Sequence, residues 1–339
     1  MRKKVIALLL TVVTVVSLTG CGSKYKEYIS VDKYKNMKLT TTEELSTEKI
    51  SKDTVNNQIR HNICMYSPTF LKETDKGITE NDCISFEGTV KTKDGTTTDF
   101  TASNEMMSSF KNIKGFKKAV IGHIVGDKFS FEIEDNNTTM TADIKITSVV
   151  SDPLELFTND WVKNYSDNSN IKTTKKYYDY IKDELKTNAK NTNKSIKLTA
   201  IMKKIEKSTE LKKYPDGAVK DELKVIKAQY DKMAELYNVT IKENIMANNN
   251  LSTNEEYENF LKKMAKDQVK ENLIYCRIAE IEKLTPTEDE YQTYLKDYKS
   301  EHANSYDSLD IVGKKVAKQY ILNEIVQDWL VEHNTVKES

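Results

Sequence analysis

"NIKGFKKAVIGHIVGDKFSFEI", residues 112–133, changes period partway along. Its last third runs on as KFSFEIE and alternates, placing Phe129, Phe131 and Ile133 on one side, the signature of a half-buried strand. Ahead of that strand, Gly115-Phe116 opens a short helical turn over residues 116–121, and Gly122 and Gly126 punctuate the way into the strand. The flanks alternate too. CISFEGTV (83–90) sets Cys83, Ser85 and Glu87 against Ile84, Phe86 and Gly88, and MTADIKITSV (140–149) aligns Met140, Ala142, Ile144 and Ile146. Asp94-Gly95, within Lys93–Thr96, tolerates the positive φ of a tight hairpin. Residues 81–150 therefore predict a small antiparallel sheet.

Beyond Asp152-Pro153 the period becomes helical. Val219, Leu223, Ile226, Tyr230, Met233 and Tyr237 fall at steps of three and four, as do Leu261, Ala265, Val269 and Leu273. Ala317, Ile321, Ile325 and Trp329 form a last stripe beside Leu322, Val326 and Leu330. Ser252 or Thr253 is set to cap one helix, and Pro286 opens another where its missing N–H is harmless. Before the sheet, a strand-like YISVDKYKNMKL (28–39) leads to a helix whose cap is predicted at Ser46 or Thr47, with Glu48 or Lys49 in its first turn. The fold class expected is α+β: an arm over 28–76, a sheet domain over 77–150 and an all-helical domain over 151–339.

The chain opens MRKKVIALLLTVVTVVSLTGCGSKYKEY. A basic trio and an apolar run from Val5 to Leu18, short for a membrane span, read as a secretory signal. Leu18-Thr19-Gly20-Cys21 has the pattern of a bacterial lipobox, which predicts a leader over 1–20, cleavage before Cys21, a diacylglyceryl group on its thiol and a tether over 21–27. The expected location is the outer face of the cell membrane. Two acyl chains hold a protein on a bilayer where one does not.

In 339 residues, 52 Lys and Arg balance 52 Asp and Glu, and removing Arg2, Lys3 and Lys4 leaves 49 basic against 52 acidic, so nothing in the charge calls for nucleic acid. Only 10 glycines and 4 prolines favour long helices over an all-β protein. Cys64, Cys83 and Cys276 show no CxxC spacing, and whether Cys64 pairs with Cys83 is left open by spacing. His61, His123, His302 and His333 are scattered, so neither a metal nor a cofactor is expected.

Three stretches together resemble the trigger factor family. DCISFEGTVKTKDG (82–95) is similar to its entry into an FKBP-type prolyl isomerase domain, and IKGFKKAVIGHIVGDKFSFEI (113–133) to its glycine-phenylalanine stretch. KKYPDGAVKDELKVIKAQYDKMAEL (212–236) resembles the proline-started helix of its C-terminal chaperone domain. The resemblance implies an aromatic pocket: Phe86 as a wall, Ile113 on the floor beside a backbone donor, Phe116 as the basal ring. Asp99-Phe100 replaces the family's Phe-Asp pair in reversed order, Asn112 stands where an aliphatic residue lines the pocket, Ala142 falls near an aromatic position, and the flap is cut to EDNNTTM (134–140). It further implies helical arms that hold unfolded chains, with Met202, Tyr230, Met233, Tyr237, Met246 and Met264 as adaptable apolar contacts. The family's ribosome-docking domain has no counterpart before residue 28, so the expected partners are unfolded secreted polypeptides and the membrane, with no ribosome and no nucleic acid.

Two functional classes follow. One is a membrane-anchored folding factor, with or without prolyl isomerisation. The other is a lipoprotein that binds a solute or cell-wall ligand, which two α/β lobes of repeated βα units would signal.

Overall fold

The structure, a computed structural model, describes residues 24–339 apart from 68–70, 72, 136–137, 167, 238–239 and 303–308. The expected leader over 1–20 and Cys21 lie outside the described residues. Strands β1 (Ile29–Val31) and β2 (Lys38–Thr41) precede helix α1 (Lys52–Tyr66). Next come β3 (Cys83–Thr92), β4 (Thr97–Asp99), β5 (Ala102–Met106), α2 (Phe116–Val120), β6 (Lys128–Asp135) and β7 (Thr138–Val150). The remainder is α3 (Asn159–Tyr165), α4 (Thr174–Ser208), β8 (Thr209–Leu211), α5 (Ala218–Tyr237), α6 (Ile241–Asn248), α7 (Asn254–Glu282), α8 (Glu288–His302), α9 (Leu309–Glu332) and β9 (Thr335–Glu338). The fold class is α+β. Two compact units divide the chain, Ser46–Thr192 in one and the rest in the other, with the boundary inside α4.

In the Ser46–Thr192 unit the sheet is antiparallel in the order β4-β3-β7-β6, and β5 also pairs with β3. The alternation read from sequence is its cause. Ile84, Phe86 and Val90 of β3 and Ala142, Ile144 and Ile146 of β7 turn to one face and are buried with Phe116 and Val120 of α2. Where Ser85 pairs with Ser148 and Phe86 with Ile146, Thr147 of β7 is left over as a bulge, so β3 keeps its alternation while the buried phase of β7 shifts from Ile146 to Val149. Helix α1 buries Val55, Ile59 and Ile63, four residues apart, against Trp161 and Val162 of α3 and Tyr177 and Ile181 of α4. Arg60 of α1, 8% exposed, forks onto Asp152, with Nε and Nη2 each 2.7 Å from a carboxylate oxygen. Burial alone would raise that carboxyl; the guanidinium and the Leu154 amide hold it below the usual range.

In the other unit α7 is the spine. Thr253 and Glu256 close a reciprocal cap at its start, and Lys283 ends it in the left-handed region. Its Val269, Leu273 and Ile278 pack with Ile201 and Ile205 of α4 and Val326 and Leu330 of α9. Leu261 and Ala265 pack with Ile226 of α5.

Three expectations are corrected. The helical region is not all-helical: β8 pairs antiparallel with β1 and β9 runs parallel to β2, so residues 24–45 belong with the C-terminal unit while α1 belongs with the sheet. Ladders of three and four residues are too short to show a period. The cap of α1 is Ser51, whose Oγ accepts from the Thr54 amide at 3.1 Å, and not Ser46 or Thr47. Pro286 stands before the start of α8, whose cap is Thr287, which accepts from the Glu290 amide at 3.2 Å.

Candidate functional site

The aromatic residues of the sheet unit meet. Phe86 lies 5.0 Å from Phe100 and 5.6 Å from Phe116, and Phe100 meets Phe116 edge-on at 5.9 Å. Phe131 reaches Phe116 at 5.9 Å from β6. Gly115 makes this possible. At φ +88° it turns the chain so that Lys114 and Glu134 exchange two backbone hydrogen bonds of 3.1 Å, and a Cβ there would stand 2.6 Å from the Glu132 carbonyl oxygen. The next residue, Phe116, then points into the core.

The cluster is closed on itself. Phe110, which sequence reading passed over, stacks on Phe116 at 4.2 Å with 25° between the planes. Phe116 is 0% exposed and Phe86 1%. The Ile113 amide, the donor the resemblance assigns to the pocket floor, donates to the Phe110 carbonyl at 3.0 Å. Phe110 therefore covers the basal ring and takes the donor, the two groups that would receive a prolyl ring and its carbonyl. Ile113 itself is half-buried, Asn112 is exposed, and Asp99 is exposed on β4, one residue out of phase with Phe100. So Phe86, Phe100 and Phe116 come together; Asp99 stays outside. The missed signal was MMSSF (106–110), an apolar stretch with no clear period.

In the helical unit Tyr230 packs with Ile226, Tyr257, Leu261 and Ala265, and its hydroxyl lies 3.7 Å from the Met264 sulfur. Burial, and then the nearby Tyr257, raise its pKa. Met246 and Met264 share that cluster, and Met202 is buried in the core around α7. The side chains of Met233 and Tyr237 lie outside the described residues. The contacts foreseen for clients thus pack helix on helix wherever they are described.

Cys64 of α1 and Cys83 of β3 form a disulfide, buried with Val150 and with the Met106 sulfur 3.4 Å from Cys83 Sγ. Cys276 is a buried free thiol whose pKa burial raises, and its sulfur lies within 3.5 Å of the Gln319 amide group. Among the described residues no group of three His, Cys, Asp or Glu could hold a metal ion, and no helix is long and apolar enough to cross a membrane.

What these features define is an α+β protein that joins an aromatic-cored antiparallel sheet to a region of long helices. Comparison with known proteins narrows the class. The family model described as the bacterial trigger factor C-terminus matches residues 173–333. A trigger factor of Mycoplasma mobile is 25% identical over 331 residues, covering 93% of this chain and 66% of the relative. One of Prochlorococcus marinus is 22% identical over 275 residues, covering 75% and 55%. The chain thus spans less than two thirds of these relatives' length. A solved trigger factor chaperone aligns with 90% of this chain and 72% of its own at 15% identity and a TM-score of 0.35. Residues 173–333, just under half of the chain, thus match the trigger factor C-terminus, and the chain is similar to trigger factors over most of its length.

Proposed function

We propose that this chain is a folding chaperone that works outside the cytoplasm, held on the membrane by lipid at Cys21, and that it keeps unfolded exported polypeptides from aggregating. The observation that carries the chaperone reading is the match of residues 173–333 to the trigger factor C-terminus. The Cys64–Cys83 disulfide supports the location, because such bonds persist in oxidising compartments and are rare where thiols are kept reduced. Clients are then met after export and not at the ribosome.

Prolyl isomerisation is the second reading. An FKBP-type site works without covalent chemistry on a barrier of about 18–20 kcal/mol, by enclosing the proline in an apolar pocket and steadying the twisted amide. Phe110 over Phe116 and the engaged Ile113 amide weigh against it. The reading as a solute-binding lipoprotein has less support, since the chain has no repeated βα units among the described residues.

The test is a pair of assays on the leaderless chain: suppression of aggregation of an unfolded protein, and acceleration of proline-limited refolding. Suppression without acceleration is the expected result. Neither effect would sink the chaperone reading. Acceleration abolished by Phe116→Ala would establish the second.

A further inference from the structure

The turn at residues 121–126 joins α2 to β6. It carries three large apolar side chains in the open: Ile121 at 39%, Ile124 at 44% and Val125 at 42% exposure. Their exposure is built in, because the turn is strapped to the sheet unit on both sides. Gly122 and His123 exchange backbone hydrogen bonds of 2.9 Å with Ile78, and Gly126 and Asp127 bond Ile146 at 2.9 and 3.0 Å. Asp127 also accepts from the Ile124 amide at 3.1 Å and contacts His123 at 2.8 Å, and the His123 ring stacks on Phe129. A turn held this way cannot fold its aliphatic side chains back into a core.

The turn's own segment is basic, and Glu80 and Glu134 beside it pair with two of its lysines. A Cβ on Gly122 or Gly126 would meet nothing within 4 Å, so both positions face open space, while the Gly122 backbone lies close against Gly77. Residues 111–128 hold five lysines and one acid, Asp127. Lys114 and Lys117 reach Glu134 and Glu80 but keep 70% and 56% of their side chains exposed, and Lys111 and Lys118 are exposed as well. The aliphatic knob itself has little backbone free for an extended peptide, because the Gly122, His123, Ile124, Gly126 and Asp127 amides are already engaged. Backed by lysines, it matches the acyl boundary and negative headgroups of a bilayer.

We propose that the 121–126 turn is a membrane-contact tip, which dips Ile121, Ile124 and Val125 into an anionic phospholipid surface while the neighbouring lysines meet its headgroups. It rests on the membrane placement proposed above and adds to it a second attachment, on the sheet unit, that would hold that unit at the bilayer.

The test is flotation of residues 24–339, which keep every described element and lack the leader and lipid. Vesicles of equal parts phosphatidylglycerol and phosphatidylcholine are compared with vesicles of phosphatidylcholine alone. The chain is expected on the anionic vesicles. The Ile121→Ser/Ile124→Ser/Val125→Ser variant should bind roughly tenfold or more weakly, and Lys111→Gln/Lys118→Gln several-fold more weakly. Far-UV circular dichroism and the urea midpoint of Trp161 emission check that the variants, altered only at exposed positions, remain folded. Equal binding to both vesicle types, no binding to either, or undiminished binding by the triple variant would overturn the proposal. So would a triple variant that loses aggregation suppression and still floats, which would make the tip a client contact. Lipid labelling at Cys21 reports on the anchor separately, so the two failures are distinguishable.

Discussion

Reducing the Cys64–Cys83 bond should destabilise the sheet unit by about 3 kcal/mol. The bond joins residues 19 apart in sequence. Opening a loop of that length returns about 11 cal/mol/K of chain entropy to the unfolded state, about 3.3 kcal/mol at room temperature. With a urea slope of about 2 kcal/mol/M for a unit of this size, the midpoint should fall by about 1.5 M. Trp161 is the reporter: it is buried beside α1, and its indole N–H donates to Ser67 Oγ at 2.8 Å, just past the end of that helix. The second of the two tryptophans, Trp329, belongs to the other unit and is removed by Trp329→Phe. Chain refolded with the thiols kept reduced is then compared with oxidised chain. Both sulfurs stay in the same buried site with Met106 and Val150, so packing changes little and loop entropy dominates. Midpoints within roughly 0.3 M of each other would refute the reasoning.

Asp152→Asn should destabilise the same unit by about 2 kcal/mol, since buried Arg60 loses its counter-charge while a partly exposed partner is screened by water. The folded Asp152 carboxyl is depressed, so its contribution is complete above the unfolded value of about 3.9 and is lost as pH falls through the folded one; acid titrations of wild type and variant should converge there. Gly115→Ala should lower the Trp161 midpoint by the equivalent of about 2 kcal/mol or more, from the positive φ and the clash with Glu132; an unchanged midpoint would mean that the turn relaxes freely. Phe110→Ala should cost about 3 kcal/mol and uncover one face of Phe116, so any isomerase activity should rise relative to wild type in the proline-limited assay. Lower activity in the folded variant would contradict the closed-pocket account.

The α+β class and the likeness to trigger factor were legible in the chain, because their marks are local. Alternation at 83–90, 128–134 and 140–149 needs only a two-residue period, and the stripe from Val219 to Ile226 only the helical one. Phe86, Phe100 and Phe116 could be nominated together because the resemblance carried their spacing. Phe110 could not, since it lies in a short 3-10 turn without a period and its role depends on stacking against Phe116. Nor could sequence separate Tyr230 as a client contact from Tyr230 as packing, because both readings place it on the same apolar stripe.

What the sequence by itself determined is what repeats within a few residues: the three longer strands of the sheet, the long helices, the glycine turn at 115 and the leader pattern ending at Cys21. What only the tertiary structure decided is what meets across long separations: Cys64 with Cys83, β1 with β8, β2 with β9, Arg60 with Asp152, and the ring that closes over Phe116. Local periodicity records which face of an element is apolar. It does not record which other apolar face or charged group the folded chain brings against it, because that choice minimises exposed surface and unsatisfied polar groups over the whole unit.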